Sequence, residues 1–204
     1  MNGELEKLLR NHPALWRGRD TFSSATTGIK TGFTQLDDIL PWGGWPPNAL
    51  VEVVTLQWGI GELRMLLPAM ARLSRQGRWV IWIAPPYMPY ASALIQGGVD
   101  LNRTCIVPLE NPSEDVQWSM EKALRTDACC MALAWPGKLA NHSIRRLQLA
   151  AETGSSLGVV FRRADTGASP AALRVFLSPE NDGLKVRILK VRGGHRRDAV
   201  HLSL

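Results

Sequence analysis

The feature that most constrains this chain is a repeated alternation of short apolar runs with longer amphipathic stretches. "LVEVV" reads as a first strand, and Glu62 to Gln76 as a helix with Leu63, Leu66, Leu67, Met70 and Leu73 on one face. Pro68 falls inside that helix and should kink it or shift its effective start. "WVIWIA" predicts a second strand, and Tyr90 to Gln96 a helix that ends at Gly97-Gly98. "TCIVPL" predicts a third strand. Ser113, with Glu114 and Asp115 behind it, predicts the start of a helix running to about Thr126. "ACCMALAW", the helix "NHSIRRLQLAAETG" and the strand "LGVVFRR" follow. Residues 171–194 then read as a hairpin with "NDG" at its turn, and "AVHLSL" as a last short strand.

Strands that alternate with helices and are apolar throughout predict a parallel sheet buried on both faces. The expected fold is therefore α/β, with a mostly parallel central sheet, helices on both faces and a C-terminal antiparallel hairpin. The 204 residues suit one such domain, from 28 to 204, preceded by a helical appendage and Ser/Thr linker at 1–27. No apolar run reaches the roughly 20 residues of a membrane span, and the N-terminus lacks the apolar stretch of a secretion signal. A cytoplasmic location is expected. Cys105, Cys129 and Cys130 show no zinc or CxxC spacing and read as buried reduced thiols, with Cys129 and Cys130 on opposite strand faces.

The turn between the first strand and first helix, "TLQWGIGELRML", sits where a phosphate-binding loop belongs. A working loop reads GxxxxGK followed by Ser or Thr; its amides and lysine hold phosphates and its hydroxyl holds magnesium. With Gly61 as the second glycine, Leu56 stands at the first, Glu62 at the lysine and Leu63 at the hydroxyl. Gly59 adds a second flexible point in the turn. A carboxylate about 4 Å from a phosphate is repelled by roughly 4 kcal/mol at an effective dielectric of about 20. The helix dipole offsets only about 1 kcal/mol of that. The fourth strand ends "ALAWPG", without the acid that would organise magnesium, and "IAPPYMP" offers no water-activating carboxylate. No enzyme activity and no cofactor are expected. His12, His142, His195 and His201 are isolated in sequence, and no serine has a nucleophile-elbow context. Glu110, Glu114 and Asp115 read as a helix start.

The net charge is +6, and the excess gathers between Arg162 and Arg197. A basic face serves nucleic acid or an acidic partner, or is simply solvated. Lys190, Arg192, Arg196 and Arg197 are the candidates for DNA contact there. Eight tryptophans are many for this length, so several are expected at exposed contacts. Trp58, beside the degenerate loop, is one candidate partner contact.

The segment "IKTGFTQLDDILPWGGWPPNALVEVV" resembles the approach to a RecA-type core, through Thr31, Gly32, Leu36, Asp37, Gly43, Gly44, Pro46 and Glu52. "RWVIWIAPP" and "SMEKALRTDACCMALAW" resemble SulA, a division inhibitor on a RecA-like core without a functional nucleotide site. "LKVRILKVRGGHRRDAV" is similar to the closing strands of RecA-type cores, with Val191 where asparagine is common. Together these are similar to the ImuA family of SulA/RecA-like accessory proteins. That resemblance implies a RecA-like P-loop-type fold and a non-catalytic SOS-response role in error-prone translesion synthesis. The implied partners are ImuB, a polymerase-like protein, and RecA, alongside direct DNA contact and homo-oligomerisation as further options. Segments matching the RecA DNA loops, "PGKLANHS" and "RADTGASP", are short. A SulA-type inhibitor binding FtsZ is the second reading, and a DNA-dependent ATPase the third.

Overall fold

In a computed structural model, residues 27–109, 115–163, 167–192 and 199–204 are described. The expectations for the appendage at 1–27 therefore fall, all but Thr27, outside the described residues. So do those for Glu110, Ser113, Glu114, His195, Arg196 and Arg197.

Eight strands form one sheet: β1 (Leu50–Thr55), β2 (Trp79–Ile83), β3 (Thr104–Val107), β4 (Cys129–Ala134), β5 (Leu157–Arg162), β6 (Leu173–Glu180), β7 (Gly183–Val191) and β8 (Val200–Ser203). Their order is β3-β2-β4-β5-β1-β6-β7-β8. All pairs from β3 to β6 are parallel, and β7 and β8 are antiparallel. The mixed α/β class with a mostly parallel sheet is as the alternation predicts. The C-terminal hairpin needs one correction. β6 is not merely its first arm but pairs parallel with β1, Val51 opposite Leu173, so it joins the parallel core to the antiparallel end.

The helices are α1 (Thr34–Ile39), α2 (Glu62–Ser74), α3 (Ala91–Gln96), α4 (Asp115–Arg125) and α5 (Asn141–Thr153). Two apolar cores result, one on each face. The first joins Leu36, Met65, Leu66, Met70 and Leu94 of α1–α3 to Val51, Val53 and Val159 of the sheet. The second joins Met120, Leu124, Ile144 and Leu147 of α4 and α5 to Leu50, Ala132 and Val160. The period-two pleat sends alternate residues of one strand into different cores. Cys129 and Cys130 divide between the two in this way. Burial raises the Cys129 thiol to about 12 and the Cys130 thiol to about 11, which leaves both inert. Cys105 corrects the expectation: it is exposed on β3, which is an edge strand and not covered on both faces.

Pro68 does not stop α2, which runs through it from Glu62 to Ser74. Helix α1 had no periodic signal in the sequence. Its place is set by a local hydrogen bond, Thr31 N donating to Asp37 Oδ1 at 2.9 Å, and by packing on β8 from the far end of the chain, with Leu36 buried completely.

Candidate functional site

The first region to test is the loop between β1 and α2. Gly59 (φ 82°) and Gly61 (φ 111°) both take left-handed backbone, which a side chain would strain. A Cβ on Gly61 would also stand 2.2 Å from the Leu204 side chain. These conformations turn three successive amides inward, and the Glu62 carboxylate lies among them. Gly59 N donates to Oε1 at 2.9 Å and to Oε2 at 3.1 Å. Ile60 N and Gly61 N donate to Oε2 at 3.0 and 3.2 Å. Successive inward amides at a helix N-terminus form an anion-binding concavity. Here the anion belongs to the chain itself.

Glu62 is buried, and those amides satisfy its carboxylate oxygens at the N-terminus of α2. The sequence argument had Glu62 repelling a phosphate; in the structure its carboxylate engages the very amides that a phosphate would need. Leu56 is exposed, whereas Leu63 packs partly buried against the first core. At the end of β4, where a magnesium-binding acid would stand, Trp135 is stacked between Trp82 (5.7 Å) and Phe161 (4.5 Å).

Trp58 extends that aromatic row, edge-on to Phe161 at 6.3 Å, with the Arg163 guanidinium 5.6 Å from its ring. It is half-buried, and so only part of its surface is free for a contact. Most of the described tryptophans are core or partly buried; Trp118 on α4 is the strongly exposed one, with Lys122 over its ring.

The basic C-terminal region also divides on inspection. Arg162 and Arg174 point inward and both reach the fully buried Glu52, at 2.7 Å to Oε1 and 2.8 Å to Oε2. The pleat explains this, since Glu52, Arg162 and Arg174 are neighbours on adjacent strands and face the same side. Lys190, opposite Arg174 on β7, donates to the carbonyls of Ser169 and Ala171. Desolvation, with Arg192 and Arg174 nearby, holds its ammonium below the usual lysine range. Arg192 pairs with Glu152 of α5 at 2.8 Å. Lys185 and Arg187 do remain exposed on β7. His201 is not isolated: its ring meets Glu180 and Asp182, each at 3.2 Å. Among the described residues no group of three or more His, Cys, Asp or Glu is placed to hold a metal.

A second region was not found by sequence reasoning. A cleft of about 1100 Å³ opens at the carboxyl ends of β2, β3, β4 and β5, where open parallel sheets bind ligands. Pro86, Tyr87 and Met88 after β2 form one wall, and Pro108 and Leu109 after β3 continue it. Trp135, Lys138 and Leu139 follow β4; Arg162, Arg163 and Trp58 complete the opposite side. Tyr87 and Met88 are 75% and 72% exposed, and Tyr90 beside them is 75% exposed. The signal in the sequence was "PPYMPY", which carries large apolar side chains in a segment too rich in proline to bury them.

Set beside known proteins, residues 52–158 match the family described as Cell division inhibitor SulA. Curated relatives named Cell division inhibitor SulA from Yersinia pestis (strain Pestoides F) and Yersinia pseudotuberculosis serotype O:1b (strain IP 31758) are 36% identical over 99 residues. That alignment covers 48% of this chain and 58% of theirs, so the chain spans little more than half the length of these relatives. The crystal structure of SulA from Pseudomonas aeruginosa superposes with a TM-score of 0.46 at 23% identity, over 55% of this chain and 96% of that one. The family match starts at Glu52, runs through the Glu62 loop and the segments after β2, β3 and β4 that line the cleft, and covers just over half of the 204 residues: the chain belongs to the SulA family.

Proposed function

We propose that the protein is a non-catalytic adaptor of the SOS response, a RecA-type core that supports error-prone translesion synthesis by binding protein partners. The observation that carries this reading is the Glu62 carboxylate accepting hydrogen bonds from Gly59, Ile60 and Gly61. A core that spends its phosphate-binding amides on its own side chain has exchanged nucleotide chemistry for a fixed joint. Trp135 at the end of β4 supports the same conclusion for magnesium. The exposed apolar rim of the cleft supplies the surface for partners, since Tyr, Met, Trp and Arg are the residue types enriched in interfaces. ImuB-type and RecA proteins are the partners of this reading. DNA is secondary, because Lys190 and Arg192 are engaged within the fold.

A second reading, a division inhibitor acting on FtsZ, is favoured by the relatives' name. One pair of experiments separates the two. Deletion of the gene should abolish damage-induced mutagenesis, and overproduction should leave cell length unchanged. Filamentation on overproduction with mutagenesis intact in the deletion strain would overturn the adaptor in favour of the inhibitor. ATP turnover by the purified protein that is lost in Glu62→Ala would overturn both.

A further inference from the structure

We propose that the strand-end cleft takes an acidic segment of a partner protein, anchored by a large apolar side chain. The inference rests on the partner-binding reading and specifies its ligand. The walls are proline, methionine, leucine and aromatic side chains from four different strand ends, which suits an apolar anchor. The charged side chains that line it are Lys138, Arg162 and Arg163, with no carboxylate among the described lining residues. Arg162 is held by Glu52, whereas Lys138 and Arg163 are exposed. Their charge is therefore available to an incoming carboxylate at the rim, where complementary charge steers encounter and sets register.

Single-stranded nucleic acid also combines cations with rings, but the geometry argues against it here. Base stacking needs a free ring face. Trp135 has its faces against Trp82 and Phe161, and Trp58 carries Arg163 over its ring. Tyr87 offers a single exposed ring, the other walls are aliphatic and proline-rich, and two exposed rim cations, Arg163 already over Trp58, are few for a phosphate backbone.

The test is selection of random 12-residue peptides displayed on phage against the full-length protein, followed by fluorescence polarisation with the most enriched peptide. Enriched sequences should carry net negative charge and a Trp, Phe or Leu anchor. Met88→Asp and the double variant Lys138→Glu/Arg163→Glu should each weaken the peptide about tenfold or more. Both changes are on exposed side chains, and unchanged thermal unfolding will verify that the fold is kept. Failure to enrich any sequence, enrichment of neutral or basic peptides, or affinity indifferent to both variants would overturn the proposal. So would competition for the cleft by an oligo-dT strand. Peptide binding with mutagenesis intact in the deletion strain would uphold the cleft and sink the adaptor reading, so the two fail separately.

Discussion

The β1–α2 loop and the strand-end cleft lie along the same carboxyl edge of the sheet, yet they satisfy their chemistry in opposite ways. In the loop, three amides that could hold a phosphate are all bonded to Glu62. In the cleft, Tyr87 and Met88 stand largely in solvent, with nothing among the described residues to cover them. A group satisfied within the chain has little free energy left to give a ligand; an uncovered apolar group still has its burial to gain. The edge that serves catalysis in parallel α/β proteins thus carries one closed site and one open one.

The comparison can be broken or sharpened by substitution. The largest effect should come from beneath the cleft, where Glu52→Ala strips the shared carboxylate from the buried Arg162 and Arg174. A loss of about 3–5 kcal/mol in urea unfolding is expected, because uncompensated buried charge is costly. Glu62→Ala should cost about 1–3 kcal/mol by the same measurement, since it orphans three amides at once. If that variant unfolded like the parent, the closed-loop account would be wrong. At the open site, Met88→Ala should change stability by less than about 0.5 kcal/mol. The contrast between Glu62 and Met88 is the comparison itself, expressed as two unfolding curves.

The smallest effect is a pH dependence at the β6–β7 turn, beside the loop. Hydrogen bonds from His201 and Lys185 hold the Glu180 carboxyl below its ordinary value of 4.5. A depressed carboxylate contributes stability above that value and loses it as pH falls through the lower folded value. Glu180→Gln should therefore flatten the fall in thermal stability below pH 4.5 and lower neutral stability by the same small amount. An unchanged acid limb would remove this contact from the account.

Much of the scaffold was legible in the sequence because its signals are local. Apolar runs of strand length, helical spacing of Leu66, Met70 and Leu73, and "NDG" at the β6–β7 turn all act within a few residues. The degeneracy of the loop was legible too, because a missing lysine needs no coordinates to be seen. What Glu62 does instead was only partly visible. A carboxylate directly after two glycines can fold back on their amides, but whether it does depends on left-handed conformations that sequence does not report. Helix α1, the parallel pairing of β6 with β1 and the cleft were not legible. Each depends on residues far apart in the chain.

The charges show the same division most plainly. From its sequence the region from Arg162 onward was one basic stretch. In the fold, Arg162 and Arg174 turn inward to Glu52, more than a hundred positions away, while Arg187 stacks on Phe176 at the surface. The sequence by itself determined the α/β class, the strand and helix periods and the departure of the loop from the phosphate-binding pattern, because these follow from side-chain type and short-range spacing. Only the tertiary structure decided which cations are spent inside, that Glu62 seals the loop it follows, and that four strand ends meet as an open cleft. Those outcomes depend on strand order and pleat direction, which bring distant residues within the few ångströms over which charge and packing act.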